Sequence, residues 1–316
     1  VYNQLGHRAN IYKARIKILV NTVGMEEFTR LVEEEWQHIK DSTVDVPAEE
    51  VARIHAYFAP PAYDTLPHED PAYEEKRLTD PVFARWARNS VFPHKKPGYA
   101  IVTISLKPTG GIPGDATAEQ MEAVADLADR YSFGELRVAH EQNLVLADVR
   151  QRDLHALWQA LQAQGLATAN VGLLTDIIAC PGLDYCNLAN ARSIPIAQRI
   201  SERFADLRRL NNIGPFTLNI SGCINACGHH HVGNIGILGV DKKGTEAYQV
   251  TLGGSADENT EIGKIVGPAF DEHQIVDAVE TIVNTYLEIR KNGESFIDTY
   301  RRVGLAPFKE TLYATH

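Results

Sequence analysis

Methionine, tryptophan and cysteine are the residues this chain has least of: two, three and four of 316. Long apolar runs are missing too. No stretch approaches the roughly 18 consecutive apolar residues of a membrane-spanning helix, and the first residues carry neither an initiating Met nor a secretory h-region. The chain therefore reads as cytoplasmic. Basic residues are in deficit, 31 Lys and Arg against 41 Asp and Glu, for a formal charge of −10. Such an acidic surface disfavours a general affinity for nucleic acid, whose phosphates it repels unless a basic face is segregated. Neither low-complexity tracts nor short-period repeats occur, which sets aside fibrous and solenoid architectures.

The length and the 44% hydrophobic content are those of a globular protein of about two domains, large enough to bury a sizeable cofactor. Residues 12–38 are patterned as helix, broken near Gly24, with Phe28, Leu31, Val32 and Trp36 as the apolar stripe. A short helix over 48–57 ends before Pro60 and Pro61. The proline-rich stretch 60–97 then reads as a surface connection with one turn of helix near Phe83, marking a domain boundary. Beyond it come a strand over 100–106 and a helix from Thr117, which with Gln120 forms a capping box. Met121, Val124, Leu127 and Ala128 make the buried stripe of that helix. Strands over 135–139 and 143–149 and a helix over 152–164 complete a βαββα order, half of a ferredoxin-like unit with an antiparallel sheet.

Residues from 169 onward alternate between types. A long helix is expected over 184–210, strands over 216–220, 234–240 and 248–253, and a helix over 271–290 with Ile275, Val279, Ile282 and Tyr286 on one side. The fold class is α+β, an antiparallel half-domain followed by an α/β domain, with boundaries expected at 1–96, 97–168 and 169–316. Basic groups gather at Arg8, Lys13, Arg15 and Lys17 and again at Arg85, Arg88, Lys95 and Lys96. They are either solvated helix faces or a docking surface for an acidic electron donor.

All four cysteines lie in the last domain, as Cys180 and Cys186 in ACPGLDYC and as Cys223 and Cys227 in SGCINACG. A cubane iron–sulfur cluster needs four thiolates, and the chain has four with none to spare. Zinc is the nearest competitor, although its paired cysteines usually have two to four residues between them and Cys180 and Cys186 have five; two disulfides or metal-free thiols are the remaining alternatives. With Asp184 as N-cap, Cys186 would lie in the first helical turn, where the helix dipole stabilises a thiolate. Cys223 and Cys227 would share one side if the turn between them is helical. Gly222 and Gly228 bracket that pair, as turn residues or to let backbone approach a bulky group. Three consecutive histidines, His229, His230 and His231, cannot all face one site, and a proton-delivery role is open to any of them, as to His140.

The two cysteine segments, with TDIIA before the first and LNI before the second, resemble the C-terminal half of the haemoprotein sulfite and nitrite reductases, nearest to bacterial assimilatory sulfite reductase haemoproteins. Tyr12 to Lys17 resembles the helix closing that family's preceding sirohaem domain, and Phe296 to Tyr300 its terminal helix. The resemblance implies a [4Fe–4S] cluster on Cys180, Cys186, Cys223 and Cys227, with Cys227 bridging to the iron of a sirohaem. Arg137, Gln142 and Asn143 are the implied sirohaem-facing sheet residues, chemically suited to its carboxylates. Asn225, between the last two cysteines, can donate to cluster sulfurs or cofactor carboxylates, or simply cap its turn. The implied reaction is six-electron reduction of sulfite to sulfide, with nitrite to ammonia as the second option and a non-catalytic electron-transfer subunit as the third. The donor would be ferredoxin or an NADPH-dependent flavoprotein. Family enzymes are nearly twice as long, so an N-terminal half carrying the anion-binding Arg and Lys residues is expected outside this chain, and no catalytic acid is assignable within it.

Overall fold

The computed structural model describes residues 1–42 and 44–314. Two compact units divide the chain after Tyr63. The first contains helices α1 (Tyr2–Leu5), α2 (Ile16–Val23), α3 (Met25–Ile39) and α4 (Ala48–Tyr57). The expected break at Gly24 is present, with φ +87°, a conformation that glycine adopts without strain. Tyr12 and Lys13 lie in turns and Arg15 is extended, so helix begins at Ile16 rather than at residue 12.

The second unit opens with two helices, α5 (Pro71–Thr79) and α6 (Pro81–Ser90), where a connection was expected. Each begins with an Asp-Pro pair. Asp70 Oδ1 accepts from the Ala72 N–H at 2.9 Å, and Asp80 Oδ1 from those of Val82 and Phe83 at 3.0 Å, while the proline stands where no amide is needed. Helix α6 buries Phe83, Trp86 and Ala87 in the core of the first sheet. That sheet comprises β1 (Val91–Pro93), β2 (Tyr99–Ile104), β3 (Arg137–Val138) and β4 (Leu144–Arg150), all antiparallel in the order β1-β2-β4-β3.

Helices α7 (Ala118–Tyr131) and α8 (Leu154–Ala163) complete this layer. The Thr117–Gln120 capping box of α7 is formed in both directions. Val124, Leu127 and Ala128 are buried as expected, but Met121, in the first turn of the helix, is exposed. Leu154, Leu157, Trp158 and Leu161 of α8 are all buried.

The second sheet holds β5 (Ile178–Ala179), β6 (Leu218–Ser221), β7 (Ile235–Asp241), β8 (Glu246–Leu252) and β9 (Lys264–Ile265), in sequential order. Strands β5, β6 and β7 run parallel; β8 pairs antiparallel with β7, and β9 antiparallel with β8. Around it pack α9 (Ile194–Arg203), α10 (Leu207–Ile213), α11 (Gln274–Ile289), α12 (Phe296–Val303) and α13 (Ala306–Tyr313), with Ile275, Val279, Ile282 and Tyr286 of α11 fully buried. The single helix expected over 184–210 does not form. Residues 182–184 make one 3₁₀ turn, 185–193 form a loop, and two short helices follow, divided at Asp206, which caps α10. The loop's backbone is held instead by another segment: the Asn190 and Ala191 N–H groups both donate to the Gly222 carbonyl, at 2.8 and 3.1 Å. These tertiary bonds outweigh local helix propensity.

Candidate metal centre

Parallel pairing places the cysteines. Ile178 and Ala179 of β5 lie opposite Asn219 and Ile220 of β6, so the chain leaves two adjacent parallel strands into the Cys180 and Cys223 segments at the same edge. Ligands of open α/β sheets are bound there, beyond the carboxyl ends of the strands. The Cys180 N–H continues the ladder to the Ile220 carbonyl at 3.1 Å. Sequences 42 residues apart thereby become neighbours, and the Gly222 N–H donates to Cys180 Sγ at 3.0 Å.

Glycine makes this approach possible. A Cβ on Gly222 would stand 2.6 Å from the Ala191 carbonyl oxygen and 2.9 Å from Gly182 Cα, and one on Gly228 only 2.0 Å from the Ile220 carbonyl oxygen. Both glycines are thus required by protein backbone running alongside them. Between them the chain does not form a helical turn. Ala226 and His229 are left-handed, with φ +58° and +51°, a conformation costing about 1 kcal/mol or more for a residue with a side chain. Cys223 is consequently buried while Cys227 is exposed; Cys180 and Cys186 are half-buried. Asp184 caps no helix, and Cys186 lies in the loop, its N–H donating to the Gly182 carbonyl at 2.9 Å.

All four cysteines are free thiols. Among the described residues no three His, Cys, Asp or Glu side chains stand close enough to hold one metal ion. The donor set, loops at a sheet edge with an amide already donating to one sulfur, suits a cluster. Exposed apolar side chains, Leu183, Tyr185, Leu188 and Ile224, rim the same loops.

The other predicted cofactor contacts are placed differently from one another. Arg137 is exposed on β3 and pairs with Glu135. Asn225 is exposed. Gln142, left-handed at φ +60°, directs its amide at the strand before Cys180: its Oε1 accepts the Ala179 N–H and its Nε2 donates to the Ala179 carbonyl, each at 2.9 Å. Asn143 is buried, donating to Asp176 at 3.0 Å and accepting from the Leu106 N–H and from Lys107 Nζ, each at 3.2 Å. Their amides are engaged within the protein.

Sequence reasoning missed the group they belong to. Lys107 Nζ, buried, lies 2.6 Å from Asp176 Oδ1 and also donates to the Glu141 carbonyl. Burial pushes its ammonium below the ordinary lysine range, with Asp176 opposing that shift. The two are 69 residues apart, and no local pattern pairs them. Among the histidines, His229 and His231 are exposed and His230 is buried, stacked on His231 at 4.0 Å. Burial, reinforced by the charge of His231, pushes His230 down to about 4, so it is neutral near pH 7. His140 is exposed beside Glu141.

The family model described as the nitrite and sulphite reductase 4Fe-4S domain matches residues 1–40 and 172–316, and that of the nitrite/sulfite reductase ferredoxin-like half domain matches 93–164. "Sulfite reductase [ferredoxin] 2" of Mycolicibacterium paratuberculosis is 28% identical over 306 residues, 94% of this chain and 48% of that protein. The chloroplastic "Ferredoxin--nitrite reductase" of Zea mays is 29% identical over 278 residues, covering 84% of this chain and 41% of that protein. The solved structure of the Mycobacterium tuberculosis NirA protein superposes with a TM-score of 0.60 at 25% identity, over 96% of this chain and 50% of that one. Dissimilatory sulfite reductase I shares the fold, with a TM-score of 0.56 at 15% identity over 68% of this chain and 69% of that one. The chain spans about half the length of the curated relatives it matches. Four free cysteines on two loops at one sheet edge, behind a ferredoxin-like half-domain, and the family match over most of the sequence lead to one assignment: the chain belongs to the nitrite and sulphite reductase family, whose cofactors are a [4Fe–4S] cluster and a sirohaem.

Proposed function

We propose that this chain is the cluster-bearing, C-terminal half of an enzyme that reduces sulfite to sulfide with six electrons and six protons, drawing the electrons from reduced ferredoxin. The observation that carries this reading is the meeting of the two cysteine segments at the carboxyl ends of β5 and β6. Cys180, Cys186, Cys223 and Cys227 hold the [4Fe–4S] cluster, which when bound passes single electrons toward the haem. Cys227 would be the cysteine that meets the sirohaem, since it is exposed where Cys223 is buried. Arg137, exposed in its ion pair with Glu135, and Asn225, also exposed, are the polar residues accessible to sirohaem carboxylates. The half-length match to its relatives and the half-domain sheet support a second, anion-binding half. Ferredoxin stands in the names of both the sulfite- and the nitrite-reducing relatives, which supports it as the donor. Nitrite is the second substrate to test, since a nitrite reductase is as similar as the sulfite reductases.

The test is the purified full-length protein, assayed with reduced ferredoxin against each anion after its visible spectrum is recorded. A Soret band with kcat/KM higher for sulfite than for nitrite is expected. A higher value for nitrite would reverse the substrate, and an iron–sulfur spectrum without any Soret band would make the protein an electron-transfer subunit.

A further inference from the structure

Serine at a helix N-cap ordinarily turns its hydroxyl onto the amides of the first turn. Ser193, the N-cap of α9, does not. Its side chain makes no capping hydrogen bond, and Pro195 at the second helical position removes one of the amides it would serve. The residue is nevertheless completely buried. Its Oγ lies 3.5 Å from Cys180 Sγ, the sulfur that also receives the Gly222 N–H at 3.0 Å.

The slot that holds this hydroxyl is walled by glycine. A Cβ on Gly182 would stand 3.0 Å from Ser193 Oγ and 2.5 Å from its backbone nitrogen, and one on Gly222 would stand 3.1 Å from the same oxygen. A side chain at either position would crowd the hydroxyl out of its place. Two loops and a helix terminus thus bring one O–H group to one sulfur.

We infer that Ser193 sets the reduction potential of the iron–sulfur cluster by donating a hydrogen bond to the Cys180 thiolate. This rests on the reading of Cys180 as a cluster ligand. A metal-bound thiolate carries no proton and can only accept, so the hydroxyl, which can act either way, must be the donor. Donors to cluster sulfur favour the more negative, reduced state and raise the potential. With the Gly222 amide, Cys180 then receives two such bonds.

The experiment uses the cluster-loaded full-length protein, prepared anaerobically as wild type, Ser193→Ala and Ser193→Thr, with iron and sulfide content and the cluster midpoint potential measured for each. The expected result is full cluster content in all three, with a more negative midpoint for Ser193→Ala only. At the wild-type midpoint its reduced-to-oxidised ratio should fall by about fivefold, equivalent to about 1 kcal/mol of lost preference for the reduced state; tenfold corresponds to 59 mV for a one-electron couple. A loaded Ser193→Ala with the wild-type midpoint overturns the proposal. If the alanine variant does not load, Ser193→Val and Ser193→Thr, equal in shape and differing by the hydroxyl, replace it: a more negative valine supports the proposal and equal midpoints overturn it. Loading by Ser and Thr but by neither Ala nor Val also overturns it, in favour of a purely structural role. A wild-type protein without iron and sulfide refutes the ligand reading itself, a separate failure.

Discussion

Two residues outside the cysteines fix where those cysteines stand. Gly222 lets the second cysteine loop run against the first, and Gln142 clamps Ala179, the residue before Cys180, through both atoms of its amide. Gly222→Ala drives a methyl group into two backbone segments that cannot swing aside, and a destabilisation of about 1–3 kcal/mol is expected from such overpacking. Denaturant unfolding should show it, together with slower cluster uptake. Gln142→Ala keeps the left-handed backbone strain and removes only the amide, so its cost of about 1–3 kcal/mol measures the two hydrogen bonds to Ala179. Loss of iron to a chelator should be faster in that variant than in wild type. An unchanged release rate would show that the clamp holds the strand without holding the ligand.

At the level of elements, the buried Lys107–Asp176 pair joins the chain just after β2 to the segment leading into β5. Lys107→Met should destabilise by about 3–5 kcal/mol, because it leaves the Asp176 carboxylate buried and unpaired. The double variant Lys107→Met, Asp176→Leu should recover most of that loss, and urea midpoints of the three proteins separate the cases. A second element junction depends on acid. Glu294, between α11 and α12, accepts from Arg302 and from the Lys291 N–H, and the Arg302 hydrogen bond first, then that amide, pulls its carboxyl down to about 2 from an ordinary 4.5. A carboxyl lowered on folding stabilises above its unfolded value, and that stability is lost as pH falls from about 4.5 to about 2. Glu294→Gln should therefore be less stable than wild type at pH 7, with the gap closing across that window; a gap independent of pH would contradict the assignment. Sequence patterning reached the elements whose signals are local. The Thr117 capping box and the buried faces of α8 and α11 are periodic and came out as read. Helix α5 and the full extent of α6, of which one turn near Phe83 was expected, were hidden by reading proline as a breaker, although Asp-Pro is itself a start signal. The loop 185–193 was absorbed into a helix because Asp184 reads as an N-cap, while the bonds that hold the loop come from Gly222, some 30 residues on. Lys107 and Asp176 could not be paired from sequence at all, because only the packing of two sheets brings them together.

For the whole molecule, the candidate centre joins parts that are far apart in the chain: a half-domain sheet supplying Gln142, a parallel pair of strands supplying the two cysteine loops, and a helix terminus supplying Ser193. The cysteine pairs and their count were legible, because four thiolates with none spare is a compositional fact. Their unequal exposure was not, since it arises from the left-handed turn at Ala226 and His229 rather than from spacing. Among the described residues no helix is long and apolar enough to cross a membrane. The account stands on the cluster, and the content of iron, acid-labile sulfide and zinc in anaerobically purified protein tests it most directly. About four irons and four sulfides per chain, lost together in a variant with Cys180 and Cys186 replaced by serine, is the predicted result; one or two zinc ions and no sulfide would contradict it.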